Sequence, residues 1–184
     1  MKTLRLSVSI LSIVFIATGC STVPEYPEAK AVLSAEVEET ITLFKAQDPG
    51  IDSFFSSSYG YAVLPKIIKG AFILGGASGS GEVFEQGKMV GYCRMNQATL
   101  GFSFGGEYFQ EIIFFEDMTD LYVFMTEGYT FSAQVTTVAM TAGAAAKTDY
   151  NAGMAVFIMT DTGLMVDASV GGQKFRYVPT DVGQ

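Results

Sequence analysis

Histidine is absent from this chain of 184 residues, and cysteine occurs only twice. Without histidine the chain has no Ser-His-Asp or Cys-His catalytic group, no His-ligated metal and no histidine pH switch. The two thiols, Cys20 and Cys93, are too few for a cysteine-rich zinc site. We expect Cys93 to be a small buried hydrophobe rather than a nucleophile. We therefore expect a protein that is not an enzyme and that takes no metal or other cofactor.

Positive charge is also scarce, with 11 Lys and Arg against 19 Asp and Glu. A chain with this balance is repelled by a phosphate backbone, so we expect no nucleic-acid partner. Apolar residues, in contrast, make up 49% of the chain. That proportion predicts a sizeable core, and the length suits one domain.

The first 20 residues have the order of a bacterial lipoprotein signal peptide. Lys2 and Arg5 precede an apolar run at 6–16, and small residues lead into Cys20. The run is too short for a spanning helix, which needs about 20 apolar residues. The order resembles a lipobox, which implies cleavage before Cys20 and acylation there by fatty acids such as palmitate. The alternative is an ordinary signal peptide, or a transmembrane anchor, with a chance cysteine.

This interpretation divides the chain into a signal peptide at 1–19, a tether at 20–27 and one domain at 28–184. Two or more acyl chains would hold the mature protein on a membrane without a spanning helix. Ser21, rather than Asp, follows the cysteine. The sorting pattern of Gram-negative lipoproteins then favours the outer membrane, with the domain facing the periplasm. Cleavage would remove two cations and no acid, which leaves a formal charge of −10.

Hydrophobic spacing predicts two helices that cover a sheet. The first, at 28–47, ends at the sequence Asp-Pro-Gly, and a short helical turn follows at 51–58. Because the polar face of the first helix is acidic, we expect it to pack on the core rather than insert into a membrane. The second helix, at 116–126, begins with acids. The apolar side chains that share one face of the first helix are Leu33, Val37, Ile41 and Phe44.

Short runs of β-branched and aromatic residues, separated by glycines, predict an antiparallel sheet that is barrel-like or strongly curved. The expected fold class is α+β and rich in β structure, with an N-terminal amphipathic helix and one further covering helix. Hairpin turns are expected at 161–163 and 171–172. The expected strands lie near 61–64, 71–77, 82–84, 89–95, 99–104, 109–115, 131–139, 153–160, 164–170 and 174–178.

Neither the glycines nor the carboxylates form a recognisable chemical site. The glycine cluster at 75–81 lacks the lysine and the serine or threonine that end a phosphate loop, so we expect a turn or bulge there. Glu107 and Glu111 would share one face of a strand about 13 Å apart. No nucleophile accompanies them. We expect these two, together with Asp161 and Asp167, to be solvated surface acids.

Two lysines, Lys66 and Lys69, stand three apart between apolar residues in the segment 65–70. They are either solvated side chains on a turn, with their stems packed on the surface, or contacts for an anion or a phospholipid head group. The spacing by itself leaves both interpretations open.

Four segments together resemble, in order and spacing, the signature of the SYLF domain family. That family is a lipid-binding module, also called the actin-binding domain of yeast cortical-patch proteins. The resemblance extends from about Ala31 to Val178, which is nearly the whole of the expected domain. The four segments are YAVLPKIIKGAF at 61–72, GGASGSG at 75–81, TLGFSFGG at 99–106 and GLMVDASVGG at 163–172.

The resemblance implies a lipid-binding function. Eukaryotic members bind phosphoinositides through a basic surface and an amphipathic N-terminal helix, some members bind actin, and bacterial members are commonly secreted lipoproteins. This chain departs from the eukaryotic pattern because its N-terminal helix is acidic. Lys66 and Lys69 are the positions that match the basic segment of the family.

We therefore expect a non-catalytic lipoprotein of the cell envelope, held by the lipid on Cys20, whose SYLF-like domain binds phospholipid head groups through Lys66 and Lys69. The alternative is a structural or interaction lipoprotein that docks a protein partner of the envelope and has no lipid ligand of its own. The aromatic residues that would serve such docking are Phe54, Phe55, Tyr108 and Phe109.

Overall fold

The computed structural model describes residues 23–71, 74–100, 105–126, 129–130, 137–139, 141–160 and 173–180. Its helices are α1 (Pro27–Gln47), α2 (Asp52–Ser57) and α3 (Met118–Met125), with 3-10 turns at Pro49–Ile51 and Ala145–Lys147. Its strands are β1 (Gly60–Ala71), β2 (Leu74–Glu85), β3 (Lys88–Leu100), β4 (Gly105–Phe115), β5 (Thr137–Ala139), β6 (Met154–Thr160) and β7 (Gln173–Pro179).

The helix α1 is confirmed almost to the residue. Pro27 occupies the first turn, where its missing N–H costs no helical hydrogen bond. Leu33, Val37 and Phe44 are buried, as the spacing predicted. After the helix, the carboxylate of Asp48 accepts hydrogen bonds from the backbone N–H groups of Gly50 (3.0 Å) and Ala145 (2.8 Å). This residue therefore ends α1 and ties its C-terminus to the second 3-10 turn.

The strands form one sheet in the order β5-β6-β4-β1-β2-β3-β7, antiparallel except for the pair β5-β6. Three strands separate β4 from β7, which would place them about 19 Å apart in a flat sheet. Yet the amide Nε2 of Gln173 on β7 donates to Oε2 of Glu111 on β4 at 3.2 Å. The sheet is therefore strongly curved, although among the described residues it has two edges and does not close. The α+β, β-rich class is confirmed.

A turn at 65–70, which one of the two interpretations of the lysines assumed, is wrong, and so is a turn at 75–81, because both segments lie inside long paired strands. The bulge that was the alternative at 75–81 has a counterpart in the β1-β2 pair, where the register shifts between Val63 and Lys66, opposite the stretch between Ser80 and Glu82. A Cβ on Gly81 would meet the carbonyl oxygen of Val63, and one on Gly79 would lie 2.7 Å from Cγ1 of Ile67. The glycines thus let β2 approach the bulged strand closely. The strand predicted near 89–95 and the first residues of the strand predicted near 99–104 belong to one continuous strand, β3.

Two apolar cores lie on the two faces of the sheet. On the inner, concave face, Leu121 and Phe124 of α3 pack against residues that include Phe109 and Phe175. On the outer face, α1, α2 and the first 3-10 turn pack against residues that include Phe114 and Phe157. The helix predicted at 116–126 is confirmed as α3, whose N-terminus carries a capping box of Asp117 and Asp120. Within the described residues, none of the helices combines the length and hydropathy that crossing a membrane requires.

Several expectations concern residues outside the described ranges. They are the signal peptide at 1–19 and the lipid on Cys20, the first part of the tether, and the end of the strand near 99–104. The same holds for the turns at 161–163 and 171–172, the strand near 164–170, and the acids Asp161 and Asp167.

Candidate functional site: a basic row on the outer face

The structure separates the two lysines that the sequence singled out. Lys66 is exposed on the outer face of β1, with its Nζ 5.1 Å from the ring centre of Tyr108. Lys69 lies three residues further along the same strand, and only 5% of it is exposed. Because side chains alternate along a strand, an odd spacing sends the two lysines to opposite faces. Lys66 alone is available to a ligand on the outer surface.

A row of polar and basic side chains crosses the outer face next to Lys66. Its members are paired in register: Lys66 on β1 with Ser80 on β2, Ser80 with Arg94 on β3, and Arg94 with Arg176 on β7. We call these four residues the basic row. Four neighbouring strands place its ends about 14 Å apart along the sheet.

The neighbouring row lies beside the basic row on the part of the outer face that no described helix covers. It contains Tyr108, Ile68, Ser78, Asn96 and Lys174, again paired in register across five strands. Ile68 and Tyr108 are 49% and 47% exposed, although both are large apolar side chains. We call the two rows together the outer patch. It combines four exposed or half-exposed cations with two exposed apolar side chains next to Lys66.

Helix α1 determines where the outer patch begins. It packs over β1 and β2 at the other end of the same face. Its Ser34 donates a hydrogen bond of 2.5 Å to Glu82, which pairs in register with Tyr92. Burial raises the pKa of Glu82, and the Ser34 hydroxyl partly offsets this rise. The patch therefore starts one row beyond the buried row that α1 covers.

A groove of about 370 Å³ lies where the start of α1 meets the edge of the sheet. Its basic side chains are Lys30, Arg94 and Arg176, and Glu25 is the carboxylate among the described residues that line it. The Nζ of Lys30 lies 5.4 Å from the ring centre of Tyr92. We call this groove the arginine pocket. The other lining residues are Val23, Pro24, Tyr92, Val178 and Pro179.

Two polar atoms of the basic row are buried without a hydrogen-bond partner among the described residues: Nε of Arg94 and Oγ of Ser80. Buried polar groups in native proteins are nearly always hydrogen-bonded, since an unmade bond costs about 1–3 kcal/mol. In addition, Arg94 stands directly opposite Arg176, and like charges in that position are destabilising. The basic row therefore holds two unpaired buried polar atoms beside a pair of like charges.

The inner face holds a different polar group. Glu111, expected to be a surface acid, is fully buried, so that expectation is wrong. Burial raises its pKa to about 8, and the hydrogen bond from Gln173 lowers it in part. One further oxygen on each of these two side chains has no hydrogen-bond partner among the described residues. We assign Glu111 no ligand, because its side chain is wholly enclosed.

Cys93 is fully buried, as the sequence predicted. Burial, together with the charges of Glu111 and Glu82, raises the pKa of its thiol far above the ordinary value. A thiol in this state is a poor nucleophile. Within the described ranges, no group of three or more His, Cys, Asp or Glu side chains is placed to hold a metal ion.

Sequence reasoning missed Arg94 and Arg176, which contribute most of the charge in the basic row. Both lay inside strands that it predicted, and Arg176 alternates with buried residues in β7. The alternation of apolar and polar residues could have predicted that each arginine lies on the exposed face of its strand. It could not show that β3 and β7 are neighbours, since 81 residues separate the two arginines in the chain.

The aromatic residues expected to dock a partner do not form one surface. Phe54 and Phe109 are buried in opposite cores, and Phe55 packs against the outer core. Only Tyr108 of this set is largely exposed. The docking surface drawn from the sequence is therefore wrong in three of its four members.

Comparison with known proteins shows a similarity that extends over most of the chain. The chain is 29% identical over 150 residues to Beta cell expansion factor A of Aeromonas veronii. The aligned region covers 80% of this chain and 57% of that protein, so the chain spans little more than half the length of the relative. No protein-family model matches the chain.

Proposed function

We propose that this chain is a non-catalytic lipoprotein of the SYLF type whose outer patch binds the surface of an anionic phospholipid membrane. The observation that carries the proposal is the basic row, which gathers Lys66, Arg94 and Arg176 on one face of an acidic protein, where no described helix covers the sheet. The similarity to Beta cell expansion factor A indicates that this protein of Aeromonas veronii contains a related domain. The lipid ligand, however, is inferred from the patch and from the SYLF resemblance.

The charge of the outer patch opposes the charge of the whole chain. Nine Lys and Arg residues follow residue 19, and five of them line this end of the outer face or the adjoining arginine pocket. A cation close to an anionic membrane contributes about 1 kcal/mol. Lys66, Lys174, Arg94 and Arg176 would then contribute about 4 kcal/mol before repulsion from the acids is subtracted. The patch is therefore sufficient for weak, salt-sensitive binding.

The apolar members of the patch fit the same ligand. Ile68 and Tyr108 are paired in register on adjacent strands, and Lys66 lies over the tyrosine ring. Tyrosine is enriched at the level of lipid head groups, where its ring is in an apolar setting and its hydroxyl is hydrated. A lysine beside it keeps its ammonium in water while its stem packs on the apolar surface. This trio would enter the head-group layer when the outer patch faces the bilayer.

The predicted lipid on Cys20 would bring the patch to the membrane. Only two residues lie between Cys20 and Val23, which lines the arginine pocket. Three residue steps span at most about 10 Å. An acylated Cys20 would thus hold the pocket close to the bilayer, which raises the effective concentration of lipid at a weak site. We place the protein at the cell envelope, on the outer membrane and facing the periplasm.

A second candidate function is docking of a protein partner. The observation that favours it is the outer side of α3, where Met118, Tyr122 and Val123 are 48–49% exposed. These three apolar side chains lie on the face of the molecule opposite to the outer patch. Loss of partner binding on changing α3, without loss of vesicle binding, would assign the two activities to the two faces.

The proposed function is tested with vesicles. Residues 20–184, with Cys20→Ser to prevent acylation, contain every element described here. We expect co-sedimentation with vesicles that contain phosphatidylglycerol and none with phosphatidylcholine vesicles. The double variant Lys66→Glu, Lys174→Glu should lose most of this binding, because it reverses two charges of the outer patch. The buried Lys69 is left unchanged, since its replacement would test folding instead.

A matched control makes the same change of charge elsewhere. Lys88 and Lys147 are both exposed and lie outside the outer patch. The double variant Lys88→Glu, Lys147→Glu should bind like the wild-type domain. Equal losses in the two double variants would show that net charge alone governs binding, and absence of binding by the wild-type domain would refute the proposal.

A further inference from the structure

The pairing of Arg94 with Arg176 needs a physical explanation. Their Cα atoms are directly opposite in the antiparallel pair β3-β7, so their Cβ atoms lie about 5 Å apart. Neither arginine has a salt bridge to a described carboxylate. Two guanidinium groups in this position repel each other, and Nε of Arg94 is also buried without a hydrogen-bond partner among the described residues. An anion between the two guanidinium groups would neutralise their repulsion and accept a hydrogen bond from Nε of Arg94.

We propose that the arginine pocket is a binding site for a phosphomonoester group, held between the guanidinium groups of Arg94 and Arg176 with Lys30 beside them. This inference deepens the proposed function, because it names the head-group class that the membrane-binding face selects. The ligand is a terminal phosphate, either on a lipid or on a soluble metabolite. Vesicles and soluble compounds distinguish these two sources.

The charge of the pocket favours a phosphomonoester over a phosphodiester. Lys30, Arg94 and Arg176 contribute three positive charges, and Glu25 contributes one negative charge. The formal balance of the described lining residues is therefore +2. A phosphomonoester carries about −1.5 to −2 at pH 7, since its second pKa is about 6. A phosphodiester carries a single negative charge and would leave the arginine pair only half neutralised.

The geometry of the donors supports the same ligand. Each guanidinium presents a planar fork of N–H groups that bonds two phosphate oxygens at once. A terminal phosphate has three free oxygens, which suits two forks and an ammonium, whereas a diester offers two. The start of α1 borders the pocket between Glu25 and Lys30 and adds the positive end of a helix dipole.

The apolar residues of the pocket could contact the part of the ligand to which the phosphate is attached. Val23, Pro24, Val178 and Pro179 offer apolar surface next to the arginines. The groove, at about 370 Å³, lies at the small end of the range of roughly 300–1,000 Å³ typical of ligand sites. A glycerol phosphate moiety is of suitable size. The phosphate would enter first and the glycerol would rest on the valine and proline side chains.

The experiment uses the same domain of residues 20–184 with Cys20→Ser. Calorimetric titration with glycerol 3-phosphate tests the soluble source. Vesicles that contain either phosphatidic acid or phosphatidylglycerol, adjusted to equal zeta potential, test the lipid source. We expect binding of glycerol 3-phosphate and a preference for phosphatidic acid of about tenfold or more, as charge-assisted bidentate bonds are the strong class.

The decisive variant is Arg94→Lys, Arg176→Lys, which keeps both charges but removes both forks. It should lose glycerol 3-phosphate binding and should bind phosphatidic acid vesicles no better than phosphatidylglycerol vesicles. Arg176→Lys alone, at an exposed position, provides a second variant that should fold normally, and circular dichroism checks both. The control variant Lys88→Gln, Lys147→Gln should keep the preference.

The outcomes separate this inference from the proposed function. Binding to both vesicle types without preference, unchanged in the lysine variants, would overturn the phosphomonoester site and leave membrane binding intact. Binding of glycerol 3-phosphate without any vesicle binding would support the site with a soluble ligand and overturn the membrane proposal. Absence of both would overturn both.

Discussion

Glu111 is the residue whose chemistry the fold changes most. It sits on β4 in the curved interior, where Gln173 of β7 donates a hydrogen bond to it. Burial raises the pKa of its carboxyl from the usual 4.5 to about 8. At neutral pH the native protein therefore keeps a proton on this side chain that the unfolded chain has lost. Stability gained from the protonated form is complete below pH 4.5 and is lost as the pH rises through 8.

We predict that Glu111→Gln makes the free energy of unfolding less dependent on pH. Between pH 4.5 and about 8, the free energy of unfolding of the wild-type domain should fall by up to about 1.4 kcal/mol for each unit that the pH rises. The reason is that the native state holds one proton more than the unfolded state in this range. Glutamine has nearly the same shape and no proton to lose, so the variant should be the more stable protein near pH 8. Urea unfolding at a series of pH values provides the measurement.

The control for this prediction is Glu28→Gln, which removes an exposed carboxylate from the first turn of α1. Its unfolding free energy should follow the wild-type pH profile. A Glu111→Gln profile parallel to that of the wild-type domain would show that Glu111 titrates normally in the folded protein.

At the scale of elements, the pairing of β1 with β2 shows why glycine is concentrated at 75–81. The strand β1 carries an irregularity between Val63 and Lys66, which shifts its register against β2. The shifted backbone comes so close to Gly79 and Gly81 that a Cβ at either position would meet main-chain atoms. The same irregularity affects the register of β1 with β4, between Leu64 and Ile67. The shift thus determines which face Lys66 occupies.

We predict that Gly81→Ala destabilises the domain by about 1–3 kcal/mol, the range found when a packed interior is overfilled. Its new methyl group would meet the carbonyl group of Val63. Gly76→Ala, in the same strand, is the matched control. There the nearest atom is the carbonyl oxygen of Gln97 at 3.4 Å, which is an ordinary contact.

Thermal and urea unfolding of the two glycine variants provide the comparison. The Gly76→Ala protein should be as stable as the wild-type domain or slightly more stable, because alanine loses less backbone entropy than glycine on folding. Equal stability of both variants would refute the close approach of β1 and β2 at Gly81.

At the scale of the whole molecule, charge is distributed unevenly. The chain has 19 acids and a formal charge of −8, yet the part of the sheet face that no described helix covers carries Lys66, Arg94, Lys174 and Arg176. Exposed charges are screened over about 8 Å at physiological ionic strength. The local positive field can therefore act at contact while the acids on other faces are largely screened. Binding to anionic vesicles should weaken as salt is added.

We predict that the lipid on Cys20 makes this weak contact effective. Intact-mass measurement of the protein extracted from bacterial membranes should show cleavage before Cys20 and the added mass of acyl chains. Cys20→Ala should abolish the modification and release the protein from the membrane fraction. A Cys20→Ala protein that is still cleaved at the same place and still sediments with membranes would contradict lipidation.

The sequence by itself determined the local structure. Spacings of four, four and three among Leu33, Val37, Ile41 and Phe44 predicted α1, and the acids at 116–120 predicted the start of α3. Runs of β-branched and aromatic residues predicted a curved β-rich sheet, and Cys93 was expected to be buried because an isolated cysteine behaves as a small hydrophobe. These features depend on residues that are near one another in the chain, where backbone preference and hydrophobic periodicity act directly.

The tertiary structure decided the features that involve several strands of the sheet. Whether 65–70 is a turn or a strand depended on pairing with β2 and β4, and the burial of Glu111 depended on the curvature that brings β7 to β4. The basic row exists because β3 pairs with β7, across a separation of 81 residues between Arg94 and Arg176. Periodicity gives the face of a strand that a side chain occupies, but the identity of the neighbouring strand follows only from packing of the whole chain.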